Sequence, residues 1–211
     1  MRKKKIHIEE VKNFANVFYE VEPFVSFLSA YQNQEIVLEL GCGKGEYSIA
    51  LAEKYPDRLF IGVDRKADRI WFGSKSAKEK KLDNVIFLNI LIERLEEFFQ
   101  NIKISELWIT FPDPQPKARN EKHRLTNPKF LAIYKKVLKP NGIIHLKTDH
   151  TAFFDYTLNI LKVMKIQPLQ TNRDIYDSSK LRDEVLSIQT KYEKTHLNLG
   201  DKINYLKFIC I

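Results

Sequence analysis

Five short apolar runs, each followed by a longer amphipathic stretch, restrict the folds open to this chain more than any other feature. EIVLEL (35–40), RLFIGVD (58–64), NVIFL (84–88), ISELWIT (104–110) and IIHLKT (143–148) have the length and residue types of buried strands. Helices are predicted over Glu46–Lys54, Lys66–Lys81, Ile92–Phe99, Asn127–Leu138 and Phe153–Met164. Within the fourth of these, Phe130, Ile133, Tyr134, Val137 and Leu138 follow the spacing of a core-facing stripe, and Pro140-Asn141-Gly142 is expected to stop it with a turn. Successive β–α units predict an α/β, doubly wound parallel sheet. Ligands in such sheets bind beyond the carboxyl ends of strands, so the chemistry is expected just after residues 40, 64, 88, 110 and 148. Gln167–Ile211 breaks the rhythm until INYLKFICI (203–211), which reads as a last strand of the same sheet. Glu9–Ala30 mixes aromatic with charged residues and reads as partly helical, so 1–34 is expected to be a basic tail with a helical extension and 35–211 the main domain.

A chain of 211 residues with 44% hydrophobic and 29% charged residues fits a folded protein of this kind and not a disordered one. Cys42 and Cys210 form neither a metal-ligand pair nor a disulfide framework, which favours a reducing, cytoplasmic setting. No apolar run approaches the ~18 residues of a membrane span. MRKKK resembles the start of a signal peptide, but the charged IHIEEVKNF follows where an apolar core belongs, which argues against secretion. His7, His123, His145, His150 and His196 show no ligand spacing, so no metal is expected. Trp71, Phe72, Phe98 and Phe99 read as core aromatics rather than a base-stacking platform. The formal net charge is +8. Its excess is clustered in Arg2–Lys5, in Arg65–Lys81 and in Phe111–Arg124, which points to a polyanionic partner or to a basic soluble enzyme.

The first strand runs into Glu39-Leu40-Gly41-Cys42-Gly43-Lys44-Gly45-Glu46. Glycines there permit a tight turn and close approach of backbone to ligand. Asp64 closes the second strand 19 residues after Gly45, near the offset at which a carboxylate accepts the ribose hydroxyls of an adenosine cofactor. Glu39 and Glu46 would repel a pyrophosphate by a few kcal/mol at an effective dielectric of ~20, which disfavours a nicotinamide dinucleotide. S-adenosylmethionine carries a sulfonium and an ammonium and no phosphate, so the same carboxylates favour it. The sequence G-K-[ST] of a P-loop is absent. The plainer alternative is that Glu39 and Glu46 are solvated loop residues.

After the fourth strand comes Phe111-Pro112-Asp113-Pro114-Gln115-Pro116-Lys117. Alternating prolines fix φ and push the residues between them toward extended conformations. Asp113 is thus expected in a stiff segment at the carboxyl edge of the sheet, with ordinary turn chemistry as the alternative. Lys117, Arg119, Lys122, His123 and Arg124 follow, a basic stretch suited to phosphate contacts.

These residues resemble the bacterial tRNA (guanine-N7-)-methyltransferases, which act at the variable-loop guanosine. The resemblance runs over ELGCGKGEY (39–47), Asp64, FPDPQPKARNEKHRL (111–125), LKTDH (146–150), and Thr190-Lys191-Tyr192-Glu193 followed by Gly200. It implies a Rossmann-like fold with a mostly parallel seven-stranded sheet, S-adenosylmethionine as cofactor and tRNA as partner. It implies cofactor contacts at Glu39, the Gly41, Gly43 and Gly45 turn, Asp64, position 91 and Asp113. It implies tRNA or guanine contacts at Lys117, Asp149, Thr190, Lys191, Tyr192 and Glu193, with Arg119–Arg124 as an RNA-facing loop. Two positions depart from the pattern: Leu91 stands where the family has Asp, and Gln115 where it has Trp. The adenine contact at 91 then comes from backbone, from Asn89, or is absent.

Guanine N7 bears a lone pair and no proton, so its methylation needs orientation rather than a general base. Positive charge appears on the purine, and a carboxylate paired with its ring N–H groups binds that state more tightly than the ground state. Asp113 is the expected catalytic residue, with Asp149 and Glu193 framing the base and Lys117 on phosphate. A methyltransferase acting on a small molecule or protein, and a non-catalytic RNA-binding module with a vestigial cofactor pocket, are the competing readings.

Overall fold

The computed structural model describes residues 2–31, 33–177 and 186–209; Cys210 lies outside them. The chain divides into two compact units, Met1–Ser105 and Glu106–Ile211. It is mixed α/β with eight mostly parallel strands among the described residues, one more than the expected seven because of a two-residue strand near the N-terminus.

In chain order the first unit contains α1 (Arg2–Val11), β1 (Val17–Phe18), α2 (Val21–Leu28), β2 (Ile36–Leu40), α3 (Glu46–Lys54), β3 (Leu59–Val63), α4 (Ala67–Glu79), β4 (Val85–Leu88) and α5 (Leu95–Phe98). Its strands lie in the order β1-β4-β3-β2, and each neighbouring pair is parallel. Every residue of β2, β3 and β4 is buried. Strands covered on both faces read as unbroken apolar runs, which is why these were legible. The basic N-terminal run opens α1, which lies along α4. There the His7 ring stacks on Trp71 at 3.8 Å, Glu10 accepts from Trp71 Nε1 at 2.7 Å, and Lys4 meets Asp68 at 3.6 Å. Phe98 and Phe99 are core residues, as expected. Phe72 is not: it is 40% exposed, because α4 turns its core face through Ile70, Ser74 and Ala77 instead.

The unit boundary falls inside β5 (Ile104–Thr110). The second unit continues with α6 (Pro128–Val137), β6 (Leu138–Thr148), α7 (Thr151–Val163), β7 (Pro168–Asn172), α8 (Lys191–Asn198) and β8 (Asn204–Ile209). The strand order is β5-β6-β8-β7, with β8 antiparallel to both β6 and β7. Asn127 caps α6 by accepting from Lys129 N at 3.1 Å, and the helix ends at Val137, where Leu138 already has an extended ψ of 148°. The expected turn at Pro140-Asn141-Gly142 is present inside the range of β6: Asn141 sits at φ 63°, and a Cβ on Gly142 would stand 2.9 Å from Leu138 Cβ, so the chain folds back there before the paired part of β6 runs from Ile143 to Thr148. Sequence periodicity missed β7 and α8: β7 alternates half-buried with exposed residues and has none fully buried, and Glu193 is the only buried residue on α8. Among the described residues no helix is long and apolar enough to cross a membrane, and no cluster of three or more His, Cys, Asp or Glu can hold a metal.

Candidate active site

In the first unit the turn between β2 and α3 carries Gly41, Gly43 and Gly45 at φ 68°, 57° and 69°. These left-handed values favour glycine, and Gly45 has a second constraint. A Cβ there would stand 2.5 Å from Phe87 Cε1, inside the core. A Cβ on Gly41 would meet nothing within 4 Å, and one on Gly43 only the Gly41 carbonyl at 4.0 Å. Gly45 locks the turn onto the core, while Gly41 and Gly43 keep its outer surface bare.

Gly45 is the N-cap of α3 and has no side chain to satisfy the helix amides. Glu39 does so from the preceding strand: its Oε2 accepts from Ser48 N at 3.0 Å and from Ser48 Oγ. Asp64 binds the same turn from β3. Its Oδ2 accepts from Gly43 N at 2.9 Å and its Oδ1 from Lys66 N at 2.8 Å. A carboxylate has about four lone-pair sites, so two amide bonds leave Asp64 with acceptor capacity. Asn89 Nδ2 donates to the Asp64 carbonyl at 2.9 Å and steadies it from β4. Leu91 is 51% exposed. Burial, reinforced by the charges of Glu39 and Asp64, pushes the Cys42 thiol well above its ordinary range and keeps it protonated. A bare turn flanked by two fixed carboxylates fits a cationic adenosine group that has no phosphate.

In the second unit β5 delivers the chain to Phe111, which sits at φ 47° with its N–H on the Lys147 carbonyl at 2.8 Å. Asp113 Oδ1 accepts from Gln115 N at 3.1 Å, and Gln115 sits at φ 46°. Arg124 closes the segment by donating through Nε and Nη2 to the Gln115 carbonyl, both at 3.2 Å. Its guanidinium also lies 4.3 Å from the Tyr156 ring centroid. Arg124, grouped above with the RNA-facing residues, therefore braces the Pro-Asp-Pro segment. Lys117, Arg119, Lys122 and His123 are exposed around the short 3₁₀ turn Ala118–His123.

Asp149 follows β6, and its Oδ2 accepts from Tyr192 Oη at 3.2 Å. Burial, then the Asp149 charge, pushes the Tyr192 phenol up to about 12. Thr190 caps α8 through Glu193 N at 3.1 Å. Lys191 and Tyr192 are exposed, but Glu193 is fully buried. Its carboxylate lies 2.7 Å from Lys147 Nζ and accepts from Tyr176 Oη at 2.8 Å. Lys147 donates further to the carbonyls of Leu186 and Ile188 at 3.1 and 3.0 Å. Of Asp149 and Glu193, expected to frame the base together, the structure leaves only Asp149 partly exposed. Lys147, Tyr176 and Arg124 have positioning jobs that sequence reading missed. Lys147 alone left a signal, as a lysine inside the apolar run IIHLKT.

Residues 33–206 match the family described as putative methyltransferase. The tRNA (guanine-N(7)-)-methyltransferase of Christiangramia forsetii is 51% identical over 173 residues, covering 82% of this chain and 77% of that one. The tRNA (guanine-N(7)-)-methyltransferase of Mycoplasma mobile is 34% identical over 203 residues, covering 96% of this chain and 98% of that one. Among solved structures the 16S rRNA methyltransferase KamB has a similar fold, with a TM-score of 0.67 over 91% of this chain and 94% of that one at 17% identity.

Proposed function

Because the chain belongs to the tRNA (guanine-N(7)-)-methyltransferase family, we propose that it methylates N7 of the variable-loop guanosine of tRNA, using S-adenosylmethionine. The observation that carries the reading beyond the family is the fixed Pro-Asp-Pro segment, with Asp113 held by Gln115 N and the segment clamped by Arg124. A loop with no partner to orient has no need of three prolines and a guanidinium brace.

When bound, S-adenosylmethionine supplies a methyl carbon made electrophilic by its sulfonium sulfur. In the first unit Asp64 accepts from the ribose hydroxyls on its remaining lone pairs. Glu39, fixed by Ser48, sets a negative field for the cationic end of the group. Gly41, Gly43 and Gly45 give it a surface without side chains. Asn89 and the exposed Leu91 border the adenine, with apolar contact replacing the acidic one the family pattern has.

The second unit serves the base. Guanine N7 needs no proton removed, so the residues orient and stabilise rather than act as bases. Asp113 stabilises the positive charge that appears on the purine. Asp149 accepts from a ring N–H. Tyr192 and Lys191 make the exposed side of the base pocket, while Thr190 and Glu193 hold them in place from within. Lys117, Arg119, Lys122 and His123 grip phosphates, which offsets the few kcal/mol needed to turn a base out of its stack.

Single-turnover methyl transfer to unmodified tRNA tests the reading. Asp113→Ala should slow it about 100-fold or more, the scale of losing a preorganised electrostatic group. A wild-type rate in that variant removes Asp113 from the mechanism.

A further inference from the structure

Tyr192 is 48% exposed, yet its ring is held in place within the second unit. Its Oη donates to Asp149 Oδ2 at 3.2 Å, just beyond the end of β6. The ring of His196, one helical turn further along α8, lies 4.2 Å away, and Asp201 Oδ2 fixes that imidazole at 2.7 Å from Nδ1. Phe111, at the end of β5, meets the Tyr192 ring at 5.3 Å and 49°. Phe111 reaches this place through a left-handed backbone, φ 47°, pinned by its N–H on the Lys147 carbonyl at 2.8 Å. A bulky residue keeps that backbone only where its surroundings enforce it, and such residues gather at binding sites. A ring that stays this exposed while its neighbours immobilise it is a platform rather than part of a core.

We propose that the Tyr192 ring is a charge-recognising face for the purine: it stacks on the base, and its π-electrons hold the positive charge that methylation creates. This deepens, and rests on, the methylation of guanine N7 proposed above. In that step the N7 lone pair forms the bond to the methyl carbon and the carbon–sulfur pair goes to sulfur. One positive charge thus passes from the sulfonium to the purine, and no proton moves. The face of an aromatic ring carries negative charge density and attracts a cation lying over it. Asp149, at the hydroxyl end of the ring, adds to the same field. Hydroxyl and ring have separate jobs: the first orients Tyr192 on Asp149, and the second binds the purinium more tightly than the neutral base.

Because the ring discriminates charge, the test needs no S-adenosylmethionine. Affinity for a tRNA carrying 7-methylguanosine in its variable loop is compared with affinity for the same tRNA unmethylated, at about pH 6, where the methylated purine is a cation. The wild-type protein should prefer the methylated tRNA. Tyr192→Phe, followed by replacement of Tyr192 with phenylalanines bearing one, two and three ring fluorines, keeps the shape of the ring and withdraws its π-electron density. The preference should fall stepwise along that series, by about five-fold from first to last. Tyr192→Leu, which removes the ring, should lower it by at least as much. A preference that stays level along the series, one that survives Tyr192→Leu, or a wild-type protein that binds both tRNAs alike overturns the role of the ring. Methyl label placed by the wild-type protein on an atom other than guanine N7 overturns instead the reading on which that role rests.

Discussion

Lys147 and Glu193 meet at 2.7 Å with neither side chain exposed, linking β6, which ends just before Asp149, to α8, which carries Tyr192. Burial lowers the Lys147 ammonium below its ordinary range, while the Glu193 charge opposes the shift. Removing one partner of such a pair leaves an uncompensated buried charge, at about 3–5 kcal/mol. Lys147→Met should lose stability on that scale in urea unfolding, and adding Glu193→Gln should recover part of it. A loss below about 1 kcal/mol for Lys147→Met would show that water reaches the pair.

The glycine turn makes a prediction that depends on direction. Gly43→Ala carries only the strain of a left-handed backbone, about 1–2 kcal/mol. Gly45→Ala adds a clash with Phe87 Cε1 at 2.5 Å, and overpacking of that kind costs a further ~1–3 kcal/mol. Gly45→Ala should therefore be the less stable of the two by urea unfolding, and Phe87→Leu should narrow the gap. Equal stabilities would mean that the ring yields without cost.

Tyr192 gives a pH signature. Its folded value of about 12 lies above the ~10 of an unfolded phenol, so the folded state holds the proton longer. Its contribution to stability is complete below about pH 10 and is lost as the pH rises from about 10 to about 12. The near-ultraviolet difference in tyrosinate absorbance between wild type and Tyr192→Phe should stay flat through about pH 10.5. A difference centred near pH 10 would show that neither burial nor the Asp149 charge holds the proton on the phenol.

The exposed cations of the Ala118–His123 turn should act as phosphate contacts. Neutralising Lys117, Arg119 or Lys122 should weaken tRNA binding and lower the steepness of its salt dependence by about one ion each. A variant with weaker binding and an unchanged salt slope would place that residue on a base or in the protein's own packing.

The parts of the fold legible in the sequence share a physical cause. β2, β3 and β4 are buried on both faces, so their apolar runs stand out, and Asn127-Pro128 announces the start of α6 by its own capping chemistry. α8 was hidden because its one inward residue is a glutamate matched by a lysine from another strand, a pairing that reads as surface in one dimension. The support Glu39 gives to Ser48 depends on a strand end meeting the next helix, which no local pattern encodes. Asp64 and Asp113 could be located beforehand because strand ends and prolines are local signals. The assignment of Arg124 as a brace depended on tertiary approach. The helix α1 forms on the basic N-terminal run because α4 offers Trp71 and Asp68 to its side chains, and neither is near it in sequence.

The decisive measurement is to locate the methyl group after unmodified tRNA has been incubated with the protein and methyl-labelled S-adenosylmethionine. Label on N7 of one variable-loop guanosine is the predicted result. Label on another atom or base, or no transfer at all, would contradict it.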